Sequence, residues 1–526
     1  MSDPFLKSKN NETSQNDFEP LETDDKQEET LNKNKKYNLS KYILLILAIL
    51  LIFFGIFFYK YYNNRYNQLN DSLLLEYNKL GKKDENLKLF PNTEFVLDKI
   101  DSKYIYINII LHFNKDDIDK NRLIESIKKT VRNQGILQST FYKQNGEYHI
   151  KFDENLYPEI NITNIKESDF KKYYYDLGNQ LNFHLNELMY KVFIITTEKS
   201  LYCIFIFHHS IFDISSNNGI IYDLNRFYLG DNEFKNNDLF YASLYEFNLK
   251  LRNEKSFIKD VQDYYLKNYD LGRTFKSYHI DKDIKTPPED LQNIMVYMSD
   301  KSLSDKVYNI FNGNLSRINF FNMMCQLYTL YLYNNMEDHI PEIVYVRHGR
   351  NLTLYNYTVG SFFQISIINY DFLKNAKKIE DKTYLNVQQF YDNVKKQFDE
   401  QKFISRYYNC FENYDFVHSI QNLSMGQLAF PEENMFIPEK MFGKKLLENT
   451  KGGTLFNKEK KSQYMTPFFI QNRYLPNGIA NCILSYSDRY KEESSKIISD
   501  LFYKVVDSLS DGFLNKDKLI EIKKLN

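Results

Sequence analysis

What this chain lacks most is an excess of either charge. Its 526 residues hold 68 Lys and Arg against 69 Asp and Glu, a net charge of −1. So even a balance leaves no electrostatic footprint for a nucleic acid or an acidic polymer as partner. Cysteine is scarce: Cys203, Cys325, Cys410 and Cys482 stand far apart in apolar surroundings. They show neither C-x-x-C zinc spacing nor a small-domain disulfide pattern, so buried free thiols and no metal site are expected. Also missing are the phosphate loop G-x-x-x-x-G-K-[ST], the dinucleotide turn G-x-G-x-x-G after a strand, and the G-x-S-x-G elbow. Tryptophan is absent, while Tyr (44) and Phe (42) are spread so widely that no single tyrosine stands out as functional.

What is present divides the chain unevenly. Hydrophobic residues make up 43% and charged residues 26%, a globular composition, and the length suffices for two core-forming units plus appendages. Residues 1–40 are polar and charged and cannot bury a core, so disorder is expected there. Residues 41–60 follow, with an uncharged apolar run from Tyr42 to Tyr59 flanked by Lys41 and Lys60. Its length suits a single transmembrane helix, and the long preceding tail argues against a cleaved signal peptide. Lys33, Lys35, Lys36 and Lys41 outweigh Lys60 and Arg65, a bias that places the N-terminus in the cytoplasm and the C-terminal part in the lumen or outside the cell. The sequons at Asn70, Asn161, Asn314, Asn351 and Asn356 add little in an Asn-rich chain. Residues 61–90 read as a polar stalk.

From residue 91 the pattern is globular and α+β. Lys103–Phe113 reads as a strand, and 117–132 as an amphipathic helix with Leu123, Ile124, Ile127 and Val131 on one face. Two short strands flank the hairpin signal Asn145-Gly146. Tyr190–Thr197 and Leu201–Phe207 form another strand pair, followed by a helix that Ser215 and Ser216 can cap. A polar region at 230–290 separates this half from a second. There 294–298, 343–347, 363–370 and 479–486 read as strands, and 317–333, 385–398 and 493–509 as helices. The boundaries expected are 91–265 and 266–526.

The chemistry concentrates at Phe205-Ile-Phe-His208-His209-Ser-Ile-Phe-Asp213, where an apolar strand ends in two of only nine histidines. A strand leaving the core holds an imidazole rigidly enough for general base work. These residues resemble the HHxxxD motif of the condensation domains of nonribosomal peptide synthetases, within the wider superfamily of chloramphenicol acetyltransferase. Further stretches match in order: Gln138-Ser-Thr-Phe141, Leu181-Asn-Phe-His-Leu with Leu188-Met-Tyr, His348-Gly-Arg350, Val359-Gly-Ser-Phe362, and Tyr414 to Asn422. Together they cover roughly 91–515.

The resemblance implies two chloramphenicol acetyltransferase-like lobes in a V-shaped pseudodimer, with a tunnel between them. It implies acyl transfer from a thioester to an amine or hydroxyl, no bound cofactor, and acyl-CoA or a phosphopantetheine-carried acyl group as co-substrate. His209 matches the base that faces the tunnel. His208 and Asp213 match structural positions, with Arg350 as the ion-pair partner of Asp213 and Arg347 as the fallback. Ile214, Gln364, His418 and Gln421 fall at tunnel-lining positions, and no metal is implied. Two departures stand out: Ile214 replaces the family's glycine after the aspartate, and Gln364 replaces its asparagine after VGxF. An isoleucine keeps the N–H but adds a branched side chain and gives up φ > 0, so a narrowed tunnel is expected.

Two functions are expected from this reading. The first is a membrane-anchored acyltransferase whose donor arrives in trans, on CoA or on a separate carrier protein. The second is a catalytically degenerate condensation fold acting as a membrane-tethered binding or scaffold module.

Overall fold

A computed structural model describes residues 87–98, 100, 106–234, 239–269, 292–334, 340–347, 349–350, 353–402, 404–407, 425–428, 440–446, 451–454, 468–475, 478–486, 491–515 and 518–523. The chain divides into two compact units, Met1–Leu73 and Leu74–Asn526, and every described residue belongs to the second. The expected tail, the expected membrane span at 41–60 and most of the expected stalk lie outside the described residues. Among the described residues, no helix is long and apolar enough to cross a membrane.

Helix α1 (Pro91–Leu97) leads to strand β1 (Tyr106–Asn114) and helix α2 (Lys120–Asn133). The carboxylate of Asp119 caps α2 by accepting from the N–H groups of Asn121 and Arg122. Leu123, Ile127 and Val131 are buried along its inner face. Strands β2 (Ser139–Gln144) and β3 (Glu147–Phe152) form the Asn-Gly hairpin, with Asn145 at φ 54° and Gly146 at φ 89°. Two successive left-handed residues match the right-handed twist of the flanking strands. Strand β4 (Ile160–Asn164), helix α3 (Phe170–Gln180), β5 (Tyr190–Thr196) and β6 (Ser200–His208) complete this half of the strand set.

β6 lies between β1 and β5, antiparallel to both, with β4 at one edge of the sheet. Every residue of β6 is buried. A strand covered on both faces needs no polar alternation, hence the unbroken apolar run in the sequence. Three helices follow: α4 (Asn217–Leu229), α5 (Leu239–Asn253) and α6 (Lys255–Asn268). The last two correct the expectation of a polar separator at 230–290. α5 buries Phe240, Tyr241, Leu244 and Phe247, a helical recurrence that the polar residues around it conceal.

The second half contributes β7 (Gln292–Met298), α7 (Lys301–Ile310), α8 (Leu315–Tyr333), β8 (Glu342–Arg347), β9 (Gln364–Asn369) and α9 (Val387–Glu400). Then come β10 (Met425–Leu428), β11 (Lys451–Thr454), β12 (Phe468–Leu475), β13 (Gly478–Tyr486) and α10 (Glu492–Leu514). Its six-stranded sheet has the order β7-β13-β12-β10-β8-β9. α8, α9 and α10 supply Phe321, Met324, Leu327, Phe390, Val394, Phe502 and Val506 to one core with that sheet. β9 is an edge strand, and α9 and the turn after it shield that edge. Gln401 accepts from the N–H of Ile367 (3.0 Å) and donates to its carbonyl (2.6 Å). Gln397 does the same for Asn369, at 3.1 and 2.8 Å. The two amides occupy the ladder positions that another strand would take.

The expected boundary at 265/266 does not separate the sheets. β11 pairs antiparallel with β1, from Ile107 opposite Thr454 to Ile110 opposite Lys451, and so completes the first sheet. Shortly before it, Phe442 donates its N–H to Asn225 of α4 (2.7 Å). The Phe442 ring stacks on Tyr228, with centroids 4.1 Å apart. The second half of the sequence is thus stitched onto the first.

Candidate active site at the end of the histidine strand

The site begins where β6 runs out. The backbone N–H of His208 bonds to the carbonyl of Met189 (2.8 Å), and its ring is fully buried near Tyr106 and Phe183. Its Nδ1 lies 2.8 Å from the Ser210 hydroxyl and 3.3 Å from the Ser210 N–H. Burial, with the neighbouring His209 adding to it, pushes His208 down to about 3. Phe212 folds back onto Phe207, with centroids 4.0 Å apart. The residues between the histidines and Asp213 thus fix the turn: Ser210 caps a histidine, and Ile211 and Phe212 anchor in the core.

His209 stands past the strand end on the other side. It is half-buried, its ring lies 4.8 Å from that of Phe363, and its buried Nδ1 has no hydrogen-bond partner among the described residues. Burial lowers its affinity for a proton, and the Asp213 carboxylate only partly opposes this. A neutral imidazole at neutral pH is the form able to take a proton from a nucleophile.

Asp213 directs its carboxylate elsewhere. Oδ1 accepts from the N–H (2.9 Å) and hydroxyl (2.8 Å) of Ser216, closing a capping box. Oδ2 accepts from Arg350 Nη1 (2.7 Å) and from the N–H of Phe362 (3.0 Å). The rest of the guanidinium is committed as well. Nε donates to the Tyr355 carbonyl (3.1 Å), and Nη2 to the Thr358 carbonyl (3.0 Å) and to the Ser216 hydroxyl (2.9 Å). A buried ion pair this fully hydrogen-bonded holds two chain segments in one geometry. Arg347 points elsewhere: its guanidinium bonds to Ser366 and the Phe398 carbonyl and lies over the Phe398 ring.

Ile214 opens a single 3-10 turn, Ile214–Ser216, capped by Asp213, and is not among the residues with positive φ. The expected loss of left-handed freedom therefore has no consequence here, because isoleucine adopts this backbone without strain. The positions that do need glycine lie across the site. Gly349 has φ +63°, and a Cβ there would stand 1.7 Å from the Phe362 carbonyl oxygen. A Cβ on Gly219 of α4 would stand 2.5 Å from the Tyr357 carbonyl oxygen.

Gln364 is buried with both ends of its amide engaged, donating to the Gly349 carbonyl (3.2 Å) and accepting from Ser405 (2.7 Å). It braces the arginine loop from below. His418, Gln421, His348 and the whole Tyr414–Asn422 stretch lie outside the described residues. Cys203 and Cys325 are buried free thiols, and burial pushes both up; the side chains of Cys410 and Cys482 lie outside the described set.

Three residues at the site escaped sequence reasoning. Ser216 reads only as a helix cap, yet its hydroxyl also lies 2.8 Å from the Gly360 carbonyl; its place three residues after Asp213 is the legible signal. Gln134 accepts from the N–H of Val359 (2.9 Å) and donates to the Tyr357 carbonyl (3.0 Å), a second tie across the same contact. Phe363, an apolar residue in an apolar run, gives no signal at all.

Comparison with known proteins supplies the family and the fold. Residues 95–367, just over half of the chain, match the family described as Condensation domain. No curated protein matches the chain. Among solved structures, the X-domain from teicoplanin biosynthesis superposes with TM-score 0.63 at 12% identity, over 84% of this chain and 98% of that one. The condensation domain of the Monacolin K polyketide synthase MokA gives 0.61 at 10%, over 83% and 98%. A mutant of the starter condensation domain of the rhizomide synthetase RzmA, in complex with C8-CoA, gives 0.59 at 9%, over 83% and 96%. At such identities the structures establish a shared mixed α/β fold, and the sequence match supplies the kinship: the chain belongs to the condensation-domain family.

Proposed function

We propose that the protein is a membrane-tethered acyltransferase of the condensation type. It moves an acyl group from a thioester, on CoA or on a separate carrier protein, to an amine or hydroxyl acceptor. The observation that carries this reading is the neutral, half-buried His209 at the rigid end of β6, beside the Asp213–Arg350 pair. The acceptor's nitrogen or oxygen attacks the acyl carbon while His209 takes its proton. The carbon–sulfur bond then breaks, and the departing thiolate recovers that proton from His209. No covalent enzyme intermediate is required, so the site's work is alignment and proton transfer. Residues 42–59 supply the anchor, and the lysine bias before them favours the domain on the far side of the membrane from the cytoplasm, where the thioester donor must then be delivered; a donor confined to the cytoplasm requires the opposite orientation.

The test is to offer the full chain, in detergent, acyl-CoA thioesters with pooled amines and alcohols and to follow thiol release. Release that vanishes in His209→Ala but survives in a folded His208→Ala supports the reading; equal loss in both, or no release with any donor, defeats it. Protease protection on intact membranes tests the topology independently.

A second reading, a binding module of the same fold, draws on the X-domain, which is also solved in complex with OxyB. On that reading, His209→Ala would leave the protein's partner binding unchanged.

A further inference from the structure

Phe362 and Phe363 are neighbours in sequence but not in surroundings. Phe362 packs among Phe90, Phe240 and Tyr355, beneath the Arg350 guanidinium. Phe363 faces His209, with ring centroids 4.8 Å apart and planes at 50°. It packs with Phe95, Val96 and Val346 in a small apolar cluster distinct from the large core of the second half. The Phe362 N–H, one peptide before Phe363, donates to Asp213 Oδ2. The carboxylate tied to Arg350 therefore also anchors the backbone next to Phe363.

We propose that Phe363 is a specificity-determining residue of the His209 site. It selects an acceptor whose nucleophilic atom is flanked by hydrocarbon, an apolar alcohol or amine, over one carrying a carboxylate beside its nucleophile. This inference rests on the acyl-transfer reading and adds the acceptor class to it. A carboxylate brought against the Phe363 face gives up hydration and meets the negative face of the ring. A hydrocarbon flank gains from the same contact. The wall is held by backbone hydrogen bonding to a buried ion pair, so it is in place before the acceptor arrives.

The test compares two alcohols, 1-hexanol and glycolate, with the full chain in nanodiscs and one acyl-CoA donor. The wild type is expected to favour 1-hexanol at least tenfold in kcat/KM. Phe363→Ala should erase that preference mainly through the KM for 1-hexanol, while Phe363→Leu should retain it. Phe363→Tyr, which places a hydroxyl on the wall, should reduce it at least threefold. Should Phe363→Ala fail to fold, the Leu and Tyr variants decide the matter between them. An equal kcat loss for both alcohols, or a wild type with no preference, overturns the proposal.

Saturation-transfer NMR of each alcohol on the same proteins gives a readout independent of turnover. Contact with 1-hexanol that depends on Phe363, without turnover of any acceptor, defeats acyl transfer and with it the acceptor role given to Phe363. Turnover with 1-hexanol contact indifferent to Phe363 overturns this proposal and leaves acyl transfer standing.

Discussion

Arg350 Nη1 stands 2.7 Å from Asp213 Oδ2, across 137 residues of sequence, with both side chains almost fully buried. The pair belongs to a closed set in which Ser216 and the backbone of Phe362 satisfy the remaining carboxylate positions. Removing one partner leaves a buried charge uncompensated. Arg350→Ala should therefore lower unfolding free energy by about 3–5 kcal/mol in urea titrations. Arg350→Lys should recover little of it, because an ammonium cannot make the forked contacts to Asp213 and Ser216 together.

The left-handed turn at Gly349 yields a second prediction. A methyl group there would overlap the Phe362 carbonyl at 1.7 Å, in a backbone region that alanine avoids. Gly349→Ala should reduce the yield of folded protein more than Gly146→Ala, which has φ +89° but nothing within 4 Å of its Cβ. Thermal melts of the two variants side by side check this, and equal melting temperatures would refute it.

The buried His208 ties stability to pH. Its folded value of about 3 lies below the ordinary 6.5, so beneath pH 6.5 the unfolded chain binds a proton that the folded chain refuses. Stability from this group is complete above pH 6.5 and falls as pH drops towards 3; His209, also lowered, adds in the same direction. The wild type should lose melting temperature steadily between pH 7 and pH 4.5, and His208→Asn should show a shallower slope. Parallel slopes would mean that other groups dominate.

The glutamine shield of β9 should also be measurable. Gln401→Ala removes a donor and an acceptor from the backbone of Ile367, at a cost of about 1–3 kcal/mol. Hydrogen exchange at the Ile367 amide should accelerate by at least tenfold, while the amides of β6 exchange as before. A uniform change across both sheets would instead indicate global destabilisation.

How much of this was written in the sequence differs between elements. The histidine strand was legible because β6 is buried on both faces, which requires a continuous apolar run, and because polar residues mark its end sharply. The Asn145-Gly146 hairpin was legible because so few residue pairs accept two left-handed positions in succession. α5 was not, since its buried residues recur inside a polar stretch and only the core they enter shows their purpose. β11 was not either: a four-residue strand carries no mark of pairing with β1, more than 300 positions earlier.

Local chemistry is therefore what the sequence by itself determined: a strand, two imidazoles, a carboxylate, and the resemblance that assigned them parts. The resemblance already named Arg350 for Asp213; whether residue 214 needs glycine's freedom and what stands against His209 were decided by tertiary structure alone. Each depends on the approach of a segment remote in sequence. Arg350 and Arg347 lie three residues apart with the same chemistry, with the left-handed Gly349 between them; one reaches the aspartate and the other the Phe398 carbonyl. Phe363 reads in sequence as one more core aromatic, and only the fold brings it against His209, one residue beyond the backbone that Asp213 holds.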